Sequence, residues 1–151
     1  MADEAYRAVF LRVHPTGKMV LSLTTQADGH EGQYAELVAQ ELGVPPLDVK
    51  VVPADESRFG AGHGFNQAPS QGAPSAIASA TGKIKDKARL LAGAALQCSP
   101  DTLTWQDGAF VGAGDGTDSQ TIADVAMYAH GSGELPPGVE GGLDAQTVYR
   151  D

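Results

Sequence analysis

Apolar and polar positions change period repeatedly along the chain, and each change marks an element. Tyr6–Val13 (YRAVFLRV) reads as an extended stretch, closed by the turn signal His14-Pro15-Thr16-Gly17. In Lys18–Thr24, Met19, Leu21 and Leu23 alternate with Val20 and Ser22, so the two stretches predict a β-hairpin. Within Leu21–Leu42 the period then lengthens. A polar, glycine-bearing turn leads into a helix with Tyr34, Leu37, Val38 and Leu42 on one apolar face. Asp28 is the expected N-cap, with Glu31 as its capping-box partner. Gly43 suits a left-handed C-terminal cap, and Pro45-Pro46 forbids continuation. Asp48–Val52 predicts a third strand. Strand, helix and strand in that order imply a right-handed crossover and a parallel pair.

Pro53–Pro74 has no period, and carries Gly60, Gly62, Gly64 and Gly72 among polar residues. Glycines at alternate positions let backbone approach a ligand, yet the spacing matches neither a Walker loop nor a dinucleotide fingerprint. A flexible connection and a ligand clamp both fit it. Ser75–Gln97 predicts the longest helix, with Ile77, Ala80, Ile84, Ala88, Leu91 and Ala95 at three- and four-residue steps. Its many small residues permit close packing, and Ser99-Pro100 ends it. Leu103–Trp105 and Ala109–Val111 flank Gln106-Asp107-Gly108, a strong hairpin signal. Thr121 caps a short helix with Asp124 three positions on; Ile122, Val125, Ala126 and Ala129 face inward and Gly131 closes it. Ser132–Asp151 reads as loop, ending on TVYRD, a strand start with no evident partner. The expected fold class is α/β, with α+β possible: a mixed sheet carrying a β-α-β unit, and two to three packed helices. Residues 1–151 form one expected domain.

Composition narrows the partners. Ten basic residues against 19 acidic ones leave a net charge of −9, which disfavours nucleic acid or an anionic membrane as main partner. No apolar run approaches a transmembrane span, and MADEAYRAVF lacks the basic and apolar regions of a secretory signal. One cysteine, Cys98, excludes an intramolecular disulfide; a cytoplasmic location is the expectation.

Conventional catalytic signatures are missing. His14, His30, His63 and His130 lack metal-ligand spacing, so turn or cap roles suit them better. Cys98 follows a helix C-terminus, where no dipole lowers a thiol pKa. Lys83, Lys85, Lys87 and Arg89 form a basic stripe that reads as a solvated helix face, with a phosphate-bearing partner as the minority reading. Trp105 reads as core. There is no G-x-S-x-G elbow. The turn before the Glu31–Leu42 helix offers free backbone donors and a helix dipole to an anion. An ordinary connection, its donors satisfied by Asp28 and water, fits as well.

Several segments taken in order resemble one family. They are RVHPTGK (Arg12–Lys18), TQADGHEGQYAELVAQELGVPPLDVKVV (Thr25–Val52) and FGAGHGFNQAPSQGA (Phe59–Ala73), followed by IKDKARLLA (Ile84–Ala92), TIADVAMYAHG (Thr121–Gly131) and LPPGVEGGLDAQTVY (Leu135–Tyr149). They are similar to the molybdenum-containing large subunits of the xanthine dehydrogenase and aldehyde oxidase superfamily, nearest the aerobic carbon monoxide dehydrogenase large-chain branch. The resemblance implies an internal segment of the molybdopterin-binding half of a longer subunit. It also implies two loops that contact molybdopterin cytosine dinucleotide with molybdenum. The first loop corresponds to Gln26, Ala27, Asp28, Gly29, His30 and Glu31. The second spans Phe59–Gln67, within which Gly62, Gly64, Phe65, Asn66 and Gln67 are the implied contacts.

Two departures weaken the implied site. Where the family has Gly-Gln, this chain has Ala27-Asp28, which adds a carboxylate; where arginine is usual, Asn66 removes a bidentate phosphate partner. The family's active-site loop and its glutamate base have no counterpart in these residues, so no catalytic residue is assigned. The implied function is a component of a molybdenum hydroxylase, inactive alone, working with other chains or segments that include iron–sulfur and flavin subunits. Such enzymes hydroxylate a carbon or oxidise carbon monoxide with water as the oxygen source. The alternative is a non-catalytic binding or assembly module that kept the fold and lost the cofactor.

Overall fold

The computed structural model describes residues 7–25, 29–52, 72–112, 118–131 and 134–149. The first hairpin forms as the alternation predicts: β1 (Ala8–Val13) pairs antiparallel with β2 (Met19–Leu23), Val13 opposite Met19 and Val9 opposite Leu23. The chain then enters α1 (Glu31–Leu42) and returns through a 3-10 turn into β3 (Val49–Val52). β3 lies parallel to β2, with Met19 beside Val49 and Ser22 beside Val52, as the strand–helix–strand order requires.

A long helix, α2 (Ala73–Leu96), follows; it begins two residues before the expected start and covers 24 residues. Ala76, Ala80, Ile84, Ala88 and Ala92 are all buried. Small residues at every fourth position let α2 lie close against the sheet and α1. Val9, Leu11, Val13, Met19, Leu21 and Leu42 close the same core at 1% exposure or less. Their neighbours Arg12, Val20 and Lys50 are exposed, so the helices cover one face of the sheet.

The remainder departs from the one-sheet expectation. β4 (Thr104–Gln106) and β5 (Ala109–Val111) form the expected hairpin, but with β6 (Ser119–Thr121) they make a separate three-stranded antiparallel sheet. Its Phe110 is fully buried. Thr121 and Asp124 form the expected capping box of α3 (Ile122–His130), the Thr121 hydroxyl accepting from Asp124 N–H at 3.1 Å. The C-terminal segment is not a loop throughout. β7 (Asp144–Val148) pairs antiparallel with β1 and completes the order β3-β2-β1-β7. Its partner lies more than 130 positions away in sequence, and its exposed residues alternate with half-buried ones in a polar edge strand, which hydrophobic periodicity does not detect.

The basic stripe of α2 is also not a merely solvated face. Lys85 sits 4.8 Å from the centre of the half-buried Trp105 ring and 3.6 Å from Glu41. Arg89 donates to the Leu103 carbonyl at 2.7 Å while stacking over Phe110, and Lys83 donates to the Gln146 carbonyl at 2.7 Å. These cations tie α2 to α1, the second sheet and β7.

Two glycines join the parts. Gly43, in the left-handed conformation that caps α1, lies against Gly108 in the β4–β5 turn; a Cβ on Gly43 would stand 2.3 Å from the Gly108 Cα. Gly43→Ala is therefore expected to cost roughly 2–4 kcal/mol, combining left-handed strain with backbone overlap. Gly82→Ala, in α2 with open space around it, is expected to stabilise by about 0.5–1 kcal/mol. Urea unfolding of both variants checks the opposite signs.

Candidate cofactor-binding edge

The crossover decides where a ligand fits. β2 and β3 are parallel neighbours, so the segments leaving their C-terminal ends start side by side, at Thr25 and Val52. α1 begins just after the first segment and α2 just after the second. The two helices run in the same direction. The Lys85–Glu41 ion pair joins points 12 and 10 residues beyond their respective starts. α2 also runs opposite to β7, with Ser79 at Thr147 and Lys83 at Gln146. Both helix N-termini therefore lie at the sheet edge formed by the C-terminal ends of β2, β3 and β7. Helix N-termini carry unpaired N–H groups and partial positive charge, and ligands of α/β sheets collect beyond strand C-termini.

Of the expected site residues, the described ones are Gly29 and His30. Gly29 takes φ +88° and turns the chain into α1; apart from its two chain neighbours, no atom of the described residues lies within 4 Å of where its Cβ would stand. His30, and not Asp28, is the N-cap, with φ −96° and ψ 7°, and Glu31 is the first helical residue. Gly29 takes a positive φ and helical geometry begins at Glu31, three residues after Asp28, so the expected Asp28 N-cap is replaced by His30. His30 makes no side-chain cap to the backbone; its Nδ1 lies 3.1 Å from Gln33 Oε1, and its ring centre lies 6.0 Å from that of Tyr34. Among the described residues, no side chain caps the backbone donors of this first turn. Gln26, Ala27, Asp28, Gly62, Gly64, Phe65, Asn66 and Gln67 lie outside the described residues.

The edge contains side chains that sequence reasoning did not bring to it. Thr24 and Thr25 are buried at 2% and 1% exposure where β2 ends. The Thr24 hydroxyl accepts from Ala8 N–H at 2.9 Å, anchoring the start of β1 beside the first loop. Tyr149, just past β7, donates its backbone N–H to the Arg7 carbonyl at 2.9 Å. Its hydroxyl is buried without a hydrogen-bond partner. Tyr34, expected as a core residue of α1, lies near it: burial first, then Tyr149 and Glu31, raise the Tyr34 pKa above its ordinary 10.0. No local signal in TVY points to this meeting, because it depends on β7 pairing with β1.

Among the described residues no three His, Cys, Asp or Glu side chains gather as a metal site, and no helix is long and apolar enough to cross a membrane. A shallow groove of about 480 Å³ lies at the opposite end, between Leu90, Cys98 and Pro136, near the C-terminus of α2. It shares no residue with the edge described above.

Comparison with known proteins decides the family. The model of the molybdopterin cofactor-binding domain matches residues 2–151. The chain belongs to that family. It is 37% identical over 144 residues to the carbon monoxide dehydrogenase large chain of Hydrogenophaga pseudoflava, and 33% identical to that of Afipia carboxidovorans. In both cases the match covers 92% of this chain but 17% of the relative, so the chain spans about a sixth of their length. Among solved structures, a Cu,Mo-CO dehydrogenase in the carbon monoxide reduced state superposes with a TM-score of 0.81 at 30% identity, covering 96% of this chain and 18% of that one. Quinoline 2-oxidoreductase from Pseudomonas putida 86 gives 0.73 at 26% identity, covering 96% and 19%. The mixed α/β fold of this molybdopterin-binding domain thus agrees with the fold class expected from the sequence.

Tyr34 supplies a pH test of the edge. Its raised pKa means that the unfolded chain loses this proton first as pH rises, so stability falls from about pH 10 upward. Tyr34→Phe is expected to flatten that fall, read from urea midpoints between about pH 9 and pH 11.

Proposed function

We propose that the chain binds molybdopterin cytosine dinucleotide at the edge where α1 and α2 begin. In this reading it contributes to a molybdenum hydroxylase of the carbon monoxide dehydrogenase type. The observation that carries the reading is the convergence of two helix N-termini with the C-terminal ends of the parallel pair β2–β3, in a domain whose family is defined by molybdopterin binding. The residues present suit a pyrophosphate. Its charge would be met by backbone N–H groups of the α1 first turn and by the dipoles of both helices.

In this reading Gln26, Ala27, Asp28, Gly29 and His30 hold one side of the dinucleotide, and Gly62, Gly64, Phe65, Asn66 and Gln67 hold the other. When bound, the group supplies the molybdenum at which a carbon is hydroxylated or carbon monoxide oxidised. This chain's own part is to bind and orient. Its glycines admit the phosphates to the backbone, and the buried Thr24 hydroxyl holds the end of β2 to the start of β1. No residue of residues 1–151 is given a catalytic role; the reacting groups, the iron–sulfur clusters and the flavin belong to other segments or subunits, in a cytoplasmic enzyme. Residues 1–151 act as one domain within it.

The substitutions relative to the family make affinity adjustable in a stated direction. Asp28→Gln removes a carboxylate from the phosphate's approach, and Asn66→Arg adds a bidentate donor. Each is expected to strengthen binding of cytidine 5′-diphosphate by about 1 kcal/mol or more in calorimetry. Molybdenum and phosphorus analysis of the protein purified from its native host is expected to find both elements in stoichiometric amounts. A metal-free, phosphorus-free protein that binds no cytidine nucleotide would overturn the reading.

A further inference from the structure

β7 is held to the four-stranded sheet differently from the other strands. Each of β1, β2 and β3 buries at least one side chain, whereas β7 buries none: Asp144, Gln146 and Val148 are exposed, and Ala145 and Thr147 half-buried. Its side contacts lie at the surface. Lys83 reaches the Gln146 carbonyl, the Thr147 hydroxyl donates to that of Ser79 at 3.3 Å, and Arg12 stands 3.7 Å from Asp144 with both side chains more than half exposed. Exposed contacts of this kind are weak. The two ends of the strand also differ. At its start, Gly142 N–H donates to the Ala129 carbonyl at 3.0 Å, and the fully buried Leu143 accepts from Val13 N–H at 2.9 Å. At its far end, Tyr149 N–H donates to the Arg7 carbonyl, but the Tyr149 hydroxyl is removed from solvent without a partner. A buried phenol left in that state is costly, and water relieves the cost once the strand leaves.

We propose that residues 144–149 are a strap that opens from β1 as a unit, hinged at the buried Leu143 and biased toward release by the unsatisfied Tyr149 hydroxyl. The strap is a property of the fold and does not depend on the cofactor reading. Its release leaves the core closed, because the buried side chains of the sheet belong to β1, β2 and β3. The hydrogen-bond ladder makes the opening measurable. The bonds from Val13 N–H to Leu143 and from Tyr149 N–H to Arg7 put the odd-numbered residues of β1 in hydrogen-bonded pairs with the strap. The bond from Thr24 N–H to Ala8 puts the even-numbered ones in hydrogen-bonded pairs with β2. Within one strand, the amides of Val9 and Leu11 thus report on the strap, and those of Phe10 and Arg12 on β2. Val13 is tied to Leu143 at the hinge and stays bonded when the strap opens.

Residue-resolved hydrogen exchange of the full 151-residue chain, followed by NMR through low urea concentrations, is the test. Val9 and Leu11 are expected to be protected at least about tenfold less than Phe10, Arg12 and Val13. Their exchange is expected to respond little to urea, because opening the strap uncovers little surface, whereas Phe10 and Arg12 follow the steep slope of global unfolding. Tyr149→Phe keeps the ring and removes the hydroxyl. It is expected to raise the protection of Val9 and Leu11 about tenfold, because the closed strap no longer buries an unsatisfied group. One protection factor and one urea slope shared by all five amides would overturn the strap, since β1 would then lose both neighbours only when the whole domain unfolds. Unchanged or lowered protection of Val9 and Leu11 in Tyr149→Phe would overturn it as well, since the hydroxyl would then exert no bias toward release.

Discussion

The parallel pairing of Met19–Leu23 with Val49–Val52 is the constraint on which the rest of the molecule depends. Parallel neighbours cannot be joined by a tight turn, so the chain between them must cross the sheet, and α1 is that crossing. Once α1 lies on one face, the strand C-termini and the helix N-terminus meet at one edge. α2 repeats the geometry from β3, and its N-terminus arrives at the same place. The gathering of helix N-termini over strand C-termini at one edge is thus a consequence of strand direction before any particular side chain contributes to it.

Packing then holds the edge in position. α2 brings alanines at four-residue steps against the sheet, which shortens the distance between layers and leaves little side-chain bulk to adjust. Its cations reach sideways to Trp105, Phe110, Leu103 and Gln146, so the long helix is fastened to the second sheet and to β7. At the opposite end, the Gly43–Gly108 contact brings backbone against backbone where a Cβ has no room. The two sheets are therefore coupled at a point distant from the proposed site, and the helix starts remain free of that crowding.

The acidic character of the chain sets the electrostatic problem of the edge. With a net charge of −9, the protein's overall field repels a phosphate. In the proposed reading, recognition therefore rests on local dipoles and short-range donors. Backbone N–H groups and a threonine-buttressed strand end suit that need because each acts by geometry at contact distance, where a uniform field matters least.

Local physics made much of this legible in the sequence. Alternation in Met19–Leu23, the left-handed glycine at Gly43, the Asp107-Gly108 turn and the Thr121–Asp124 capping box each depend on neighbours a few residues away, and each formed as expected. The strand–helix–strand order sufficed for the parallel pair, because the crossover rule needs only order and handedness. Other features were settled by tertiary structure alone. The Asp28 cap gave way to His30 because Gly29 turned the backbone. Polar β7 became a strand because β1 offered it an open edge. A separate second sheet formed because Phe110 found its burial beside α2. The meeting of Tyr34 and Tyr149, more than 110 positions apart, belongs to the same class. Periodicity reports which face a residue presents, whereas a contact between distant segments follows from which edges and faces the folded layers leave unpaired.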